Sequence, residues 1–217
     1  MRSKQQTLDA VIDCGIVAVV RGESAEPVFK AIDAVLKGGV TVVEVTFTVP
    51  GALEIIRQLR LELPDNVVLG AGTVIDAKRA ADAIGAGAEF LVAPNLNLDV
   101  IRTAVDAGKV VMPGALTPTE VVTAWQAGAD LIKIFPANVM GPGYLKDLHG
   151  PLPQVRFIPT GGIDLSNAAD YIKAGAAALG VGGSLIDKKL VAAGDWAALT
   201  DRARRFTEVI REARGSG

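Results

Sequence analysis

Two charged residues interrupt apolar runs that otherwise read as buried strands. They are Lys133 in DLIKIFP (130–136) and Glu44 in TVVEVT (41–46). An ammonium group moved out of water costs several kcal/mol unless something compensates. Burial disfavours the charged amine and lowers its pKa, while a nearby carboxylate pushes the other way. The product of that contest is an amine that loses its proton near neutral pH. Such an amine attacks a carbonyl carbon and forms a Schiff base. A carboxylate beside it can shuttle protons to and from the carbinolamine and the adjacent carbon. The plainer reading is a buried ion pair without chemistry, a weak stabiliser because desolvation offsets the attraction.

A second set of residues suits an anion. TGGID (160–164) and GVGGS (180–184) each carry a Gly-Gly pair, Gly161-Gly162 and Gly182-Gly183. Without a Cβ the backbone N–H groups approach a phosphate closely, and a following helix N-terminus adds a favourable dipole. Ser184 adds a hydroxyl, and Arg21, closing the first apolar run, adds charge. The plainer readings are tight turns and a surface arginine. Thr73 in GAGTV suits a hydrogen bond to a substrate carboxylate or keto oxygen. Thr46, Thr48 and Thr160 are further hydroxyls at strand ends, and Trp125 and Trp196 read as packing residues on helices.

The composition excludes other chemistries. The chain has 217 residues, a formal charge of −2, 50% hydrophobic residues, one cysteine and one histidine. Near-balanced charge without a basic block gives no footprint for nucleic acid or an anionic membrane. One His and one Cys fall short of a His- or Cys-rich zinc site. Cys14 reads as a small buried residue, and His149 in KDLHGP as a cation at a helix C-terminus. No run is long and apolar enough for a membrane span, and MRSKQQTLDA lacks the apolar core of a signal peptide. The expected location is cytoplasmic. Residues 1–214 read as one domain and GSG (215–217) as a linker or tag remnant.

The elements that must position these residues form a repeat. Eight short runs rich in Val, Ile and Leu begin at residues 16, 41, 66, 89, 110, 130, 155 and 177. Amphipathic segments such as EPVFKAIDAVLK (26–37) and SNAADYIKA (166–174) lie between them. Asp76, Asn97, Thr117 and Asp164 stand where helices should start, with Pro118 in a first turn. Glycines at 38–39, 85, 87, 108, 128 and 175 stand where they should end. Each unit is about 23 residues, enough for a strand, two loops and a helix. Continuous apolar strands alternating with helices predict a parallel sheet. Eight units predict an α/β fold of the (β/α)₈ TIM-barrel type, whose site lies at the C-terminal strand ends. An open doubly wound sheet is the alternative, but no G-x-G-x-x-G follows the first strand. Alternation along the strands puts Leu131, Lys133 and Phe135 on one face and Val42, Glu44 and Thr46 on another. Strands two and six feed the same interior layers of such a barrel, so Glu44 and Lys133 should meet inside.

At these residues the sequence resembles the class I 2-keto-3-deoxy-6-phosphogluconate (KDPG) and 4-hydroxy-2-oxoglutarate (KHG) aldolases. The motifs that carry the resemblance span nearly the whole chain: GIVAVVRG, GGVTVVEVTFTVP, GAGTV, LVAPN, MPGALTPTE, DLIKIFPANVMGPGYLKDLHGP, VRFIPTGGI and LGVGGS. The resemblance implies a (β/α)₈ barrel, a homotrimer, and no metal or cofactor. It implies Lys133 as the Schiff-base lysine, Glu44 as the acid/base and Thr73 on the pyruvate carboxylate. It implies Gly161, Gly162, Gly182, Gly183 and Ser184 around the phosphate with Arg21 near, and Pro94 and Phe135 lining the pocket. The implied reaction is reversible cleavage of the phosphorylated keto-deoxy acid to pyruvate and glyceraldehyde 3-phosphate in the Entner–Doudoroff route. Thr48 stands where some members place an arginine that helps hold pyruvate, which leaves open the galactonate epimer and the shorter 4-hydroxy-2-oxoglutarate. The rival readings are a sugar-phosphate isomerase using Glu44 as base and a non-catalytic, engineered oligomeric scaffold.

Overall fold

The computed structural model describes residues 2–215, so Ser216 and Gly217 of the expected remnant lie outside the described residues. Every one of the eight apolar runs carries a strand. They are β1 (Ile16–Val20), β2 (Val42–Thr46), β3 (Val68–Gly72), β4 (Phe90–Val92), β5 and β6 (Val110–Met112 and Gly114–Ala115), β7 (Ile132–Ile134), β8 (Phe157–Pro159) and β9 (Leu179–Val181). The fifth run yields two elements because Pro113 interrupts it and has no N–H to donate to a ladder. Between the strands lie α2 (Ala25–Lys37), α3 (Ala52–Glu62), α4 (Ala77–Gly85), α5 (Leu98–Asp106), α6 (Pro118–Gln126), α7 (Ala137–His149) and α8 (Ala168–Lys173). A short α9 (Lys188–Ala193) and a long α10 (Trp196–Gly215) follow, and Gly215 is helical.

The strands pair in parallel throughout. They form a curled sheet of six, in the order β5-β4-β3-β2-β1-β9, and one of three, β6-β7-β8. Lys133 N–H donates to Pro113 O at 2.9 Å, across the break in the fifth run. A parallel bridge pairs Thr160, just past β8, with Gly180 of β9.

The helices start largely where polar residues announce them. Asp76 accepts from Arg79 N–H, Asn97 from Asp99 and Val100 N–H, and Thr117 from Glu120 N–H in a capping box with Pro118 next. Asp164 differs. Its helix begins only at Ala168, after Asn167, and the Asp164 carboxylate instead accepts from Ser166 N–H and O–H. His149 ends α7 and packs edge-on to Phe157, 4.8 Å between centroids, with Nε2 3.0 Å from Gly175 O. Cys14 is half-buried rather than buried, its thiol 3.3 Å from Ile16 O. Trp196 packs against the core, but Trp125 is 41% exposed on α6 and does not read as a packing residue.

A helix not foreseen in the sequence, α1 (Lys4–Cys14), closes the N-terminal strand ends. Ser3 and Gln6 form a reciprocal capping box at its start. Leu8 and Val11 pack against the inner-face residues Val17, Val42, Val68, Phe90, Val110, Leu131 and Ile158. The other strand face packs on the helices in a second, larger cluster. One end of the strands is therefore filled with hydrocarbon, which leaves the opposite end for chemistry.

A buried charge also sits at the filled end. Glu89, with a side chain 2% exposed, takes Arg2 at 3.1 Å and Arg60 at 3.3 Å. Glu89→Gln should destabilise the chain by about 2 kcal/mol, below the usual cost of breaking a buried pair because both arginines reach water. The melting temperature should fall by about 4–8 °C, with turnover unchanged, as calorimetry and steady-state kinetics would read.

Candidate active site

Lys133 lies on β7 and Glu44 on β2, 5% and 1% exposed. β2 is long enough to be paired on both sides, and Glu44 stands in register with Val19 of β1 and Gly70 of β3. Lys133 stands in register with Gly114 and Ile158. The glycines make the room. A Cβ on Gly72 would lie 2.4 Å from Glu44 Oε1, and one on Gly114 would lie 2.3 Å from the Pro94 carbonyl. The missing methyl at residue 72 is the space that the carboxylate fills. Gly72→Ala should therefore displace Glu44 and, on the reading of Glu44 as the acid/base, lower kcat by about 100-fold or more, since a general acid–base group contributes about 10²–10⁴. The check is kcat beside a circular dichroism spectrum that stays native.

Each group shifts the other. Burial is the largest influence on Lys133 and pushes its pKa below that of an ordinary lysine. Glu44 pushes it back up, and Arg21 pushes it further down. Burial likewise raises the Glu44 carboxyl above the usual carboxylate range, opposed by the positive charges of Lys133 and Arg21. No direct ion pair joins Lys133 to Glu44 among the described residues. The two act on one another through space rather than locking together. Lys133 Nζ instead stands 5.0 Å from the centroid of the Phe135 ring. An amine not locked into an ion pair offers its lone pair to a reacting carbon once it has lost its proton.

Next to this pair is a cavity of about 150 Å³. Arg21, Phe135, Thr160, Gly161, Gly162, Gly182, Gly183 and Ser184 line it together with Val19, Ile163 and Gly180. Gly161 and Gly162 both take positive φ, 96° and 69°, a backbone that L side chains rarely adopt. The N–H groups of Gly162, Ile163, Gly183 and Ser184 are not taken up by any other group among the described residues. Unpartnered N–H groups in glycine loops beside an arginine suit an anion. Lys133 and Glu44 do not line this cavity. Phe135, two residues along the same face of the chain from Lys133, and Arg21, which acts on both charges, join the two regions.

Thr73 and Pro94 follow β3 and β4, both half-buried at the same strand ends. Thr73 takes a left-handed backbone, φ 59°, uncommon for a β-branched residue and a cost met most often at functional sites. Thr46 is fully buried. Its hydroxyl donates to Val20 O at 3.2 Å and lies 2.6 Å from the hydroxyl of exposed Thr48. Val19 and Gly180 escaped sequence reasoning, because an inward-facing valine and a lone strand glycine look like any other core position. Gly180 has a specific cause: a Cβ there would meet Thr160 Oγ1.

A family model described as KDPG and KHG aldolase matches residues 9–202. The chain is 37% identical to a 2-dehydro-3-deoxy-phosphogluconate aldolase of Pseudomonas aeruginosa, over 92% of this chain and 90% of that one. It is 34% identical to a 2-dehydro-3-deoxy-6-phosphogalactonate aldolase of Escherichia coli K12, over 78% of this chain and 83% of that one. Among solved structures, it superposes with a TM-score of 0.85 on a KDPG aldolase from Legionella pneumophila at 27% identity, over 92% and 97% of the two chains. That protein holds pyruvate as a covalent carbinolamine captured at low pH.

Proposed function

The chain belongs to the KDPG and KHG aldolase family, and on that premise we propose that Lys133 and Glu44 cleave a phosphorylated keto-deoxy acid through a Schiff base. The observation that supports this most is a buried lysine whose pKa is lowered by burial while a buried carboxylate acts on it from β2.

The neutral Lys133 amine adds to the keto carbon of 2-keto-3-deoxy-6-phosphogluconate. The carbinolamine loses water to a protonated imine, with Glu44 supplying the proton that leaves with the hydroxyl. The imine draws in the electron pair of the bond between the α and β carbons (C3–C4) as that bond breaks. The hydroxyl on the departing carbon gives up its proton, with Glu44 as base, and glyceraldehyde 3-phosphate leaves. The remaining enamine takes a proton on carbon, and water returns the amine and releases pyruvate. Every step runs backwards as written. Thr73 holds the carboxylate, and Arg21, Thr160, Ser184 and the two Gly-Gly pairs hold the phosphate. Pro94 and Phe135 form the walls.

The strands close into one eight-stranded barrel in this reading, with β5 and β6 acting as a single strand broken at Pro113. The bridge from Thr160 to Gly180 and the bond from Lys133 N–H to Pro113 O support that closure. The assembly is a homotrimer in the cytoplasm. Exposed Ile75, Leu98 and Trp125 on successive units offer apolar area for contacts between copies. A solution mass of one chain would refute the assembly.

Borohydride added with pyruvate should leave one stable adduct on Lys133, read by peptide mass spectrometry. An isomerase using Glu44 alone gives no adduct, and a non-catalytic scaffold gives no cleavage. The galactonate epimer is the second reading, favoured by the E. coli galactonate relative. Comparing kcat/KM for the two epimers decides between them.

A further inference from the structure

The phosphate reading leaves a physical problem. A Gly-Gly loop exposes N–H groups to an anion, but it has wide backbone freedom, and a peptide that flips points its carbonyl at the phosphate instead. Both loops carry a restraint against that. In the first, Asn167 Nδ2 donates to Gly162 O at 2.8 Å, while Asn167 Oδ1 accepts from Asp164 N–H at 2.9 Å. Two backbone partners of opposite kind fix which way the amide points. Asn167 stands at the N-cap of α8, where asparagine ordinarily accepts from the helix's own N–H groups, yet it makes no such bond. Its amide is committed to the loop. The peptide between Gly162 and Ile163 is trans, so its N–H points opposite to its carbonyl. With Gly162 O drawn out to Asn167, the Ile163 N–H is turned towards the cavity that Ile163 lines.

The second loop has a counterpart from a distant element. Arg202 on α10 donates from Nη1 to Ser184 O at 3.1 Å and meets Asp187 at 3.3 Å. Asp187 in turn accepts from Lys189 and Leu190 N–H at the start of α9. The Leu185 N–H of the same peptide donates to Gly182 O. Both ends of that peptide are thereby occupied. The Gly182 carbonyl, which shares its peptide with the Gly183 N–H, is taken by the Leu185 and Ile186 N–H groups, and the Gly183 and Ser184 N–H groups have no partner among the described residues.

We propose that Asn167 and Arg202 are positioning residues for phosphate. Asn167 holds the Gly162 carbonyl and Arg202 the Ser184 carbonyl away from the anion, which keeps the Gly162, Ile163, Gly183 and Ser184 N–H groups available to it. The inference rests on the phosphate reading of these loops. Neither side chain touches substrate.

The test uses the full chain with phosphorylated substrate, with unphosphorylated 4-hydroxy-2-oxoglutarate, and with inorganic phosphate as a competitive inhibitor. Asn167→Ala and Arg202→Met should each raise KM for the phosphorylated substrate and Ki for inorganic phosphate by about tenfold. kcat should hold, and the loss should be confined to the phosphorylated substrate. An equal loss on both substrates would mean general damage and would overturn the proposal, as would no change in KM or Ki. The two residues lie on separate segments, Asn167 just before α8 and Arg202 on α10, so if one variant fails to fold the other decides. A wild-type enzyme that gains nothing from substrate phosphate would instead overturn the phosphate reading, and this inference with it.

Discussion

Lys133→Met abolishes turnover and removes the pyruvate adduct that borohydride fixes on the wild-type chain. Methionine matches lysine in length and flexibility and is at home against Phe135, so the inner face stays packed. What disappears is the one buried side-chain amine among the described residues. Without it no covalent link to the keto carbon forms, and the electron pair of the breaking bond has no imine to enter. The loss should reach about 10⁴-fold or more, as when a nucleophile is removed elsewhere. Native mass spectrometry after borohydride would show the wild type heavier by one reduced pyruvate and the variant unchanged. A variant that still traps pyruvate would place the reacting amine on another lysine.

Glu44→Gln should lower kcat by about 10²–10⁴, the range for a general acid–base group, and should also move the pH profile. The free enzyme needs Lys133 without its proton, so activity falls on the acid side as the amine is protonated. The negative charge of Glu44 raises the Lys133 pKa. Removing it lets burial act with less opposition, so the acid limb of kcat/KM should shift to lower pH. Arg21→Ala has the opposite sign. Arg21 lowers the Lys133 pKa, so its loss should shift that limb to higher pH when measured on an unphosphorylated substrate. The two groups titrate as a pair, and the limb reports the pair. A limb that stays in place in Glu44→Gln would mean that the carboxylate does not sense the amine.

Much of this was legible in the sequence because strand geometry is local. Alternation along VVEVT and LIKIF assigns Glu44 and Lys133 a face from their own neighbours, and both are buried. Glycine pairs announce a close backbone approach wherever they occur, and seven of the eight cavity residues picked out from sequence as binding candidates belong to motifs quoted for their glycines or their strand ends; Phe135 follows Lys133 directly on its face. Helix α1 was overlooked although Ser3 and Gln6 carry the capping signal, because its apolar positions are few. The expectation for Asp164 failed because an aspartate can satisfy a turn as readily as a helix start, and here Ser166 claimed it.

The sequence by itself determined which residues could react and which turns could hold an anion, since residue type, strand period and glycine backbone freedom act within a few positions. Only the tertiary structure decided how they meet. It left Lys133 and Glu44 coupled without a direct ion pair, spared Glu44 a methyl from β3, and brought Arg202 of the last helix to Ser184 O. Those outcomes depend on distances across the fold between atoms far apart in the chain, and no local pattern encodes a distance.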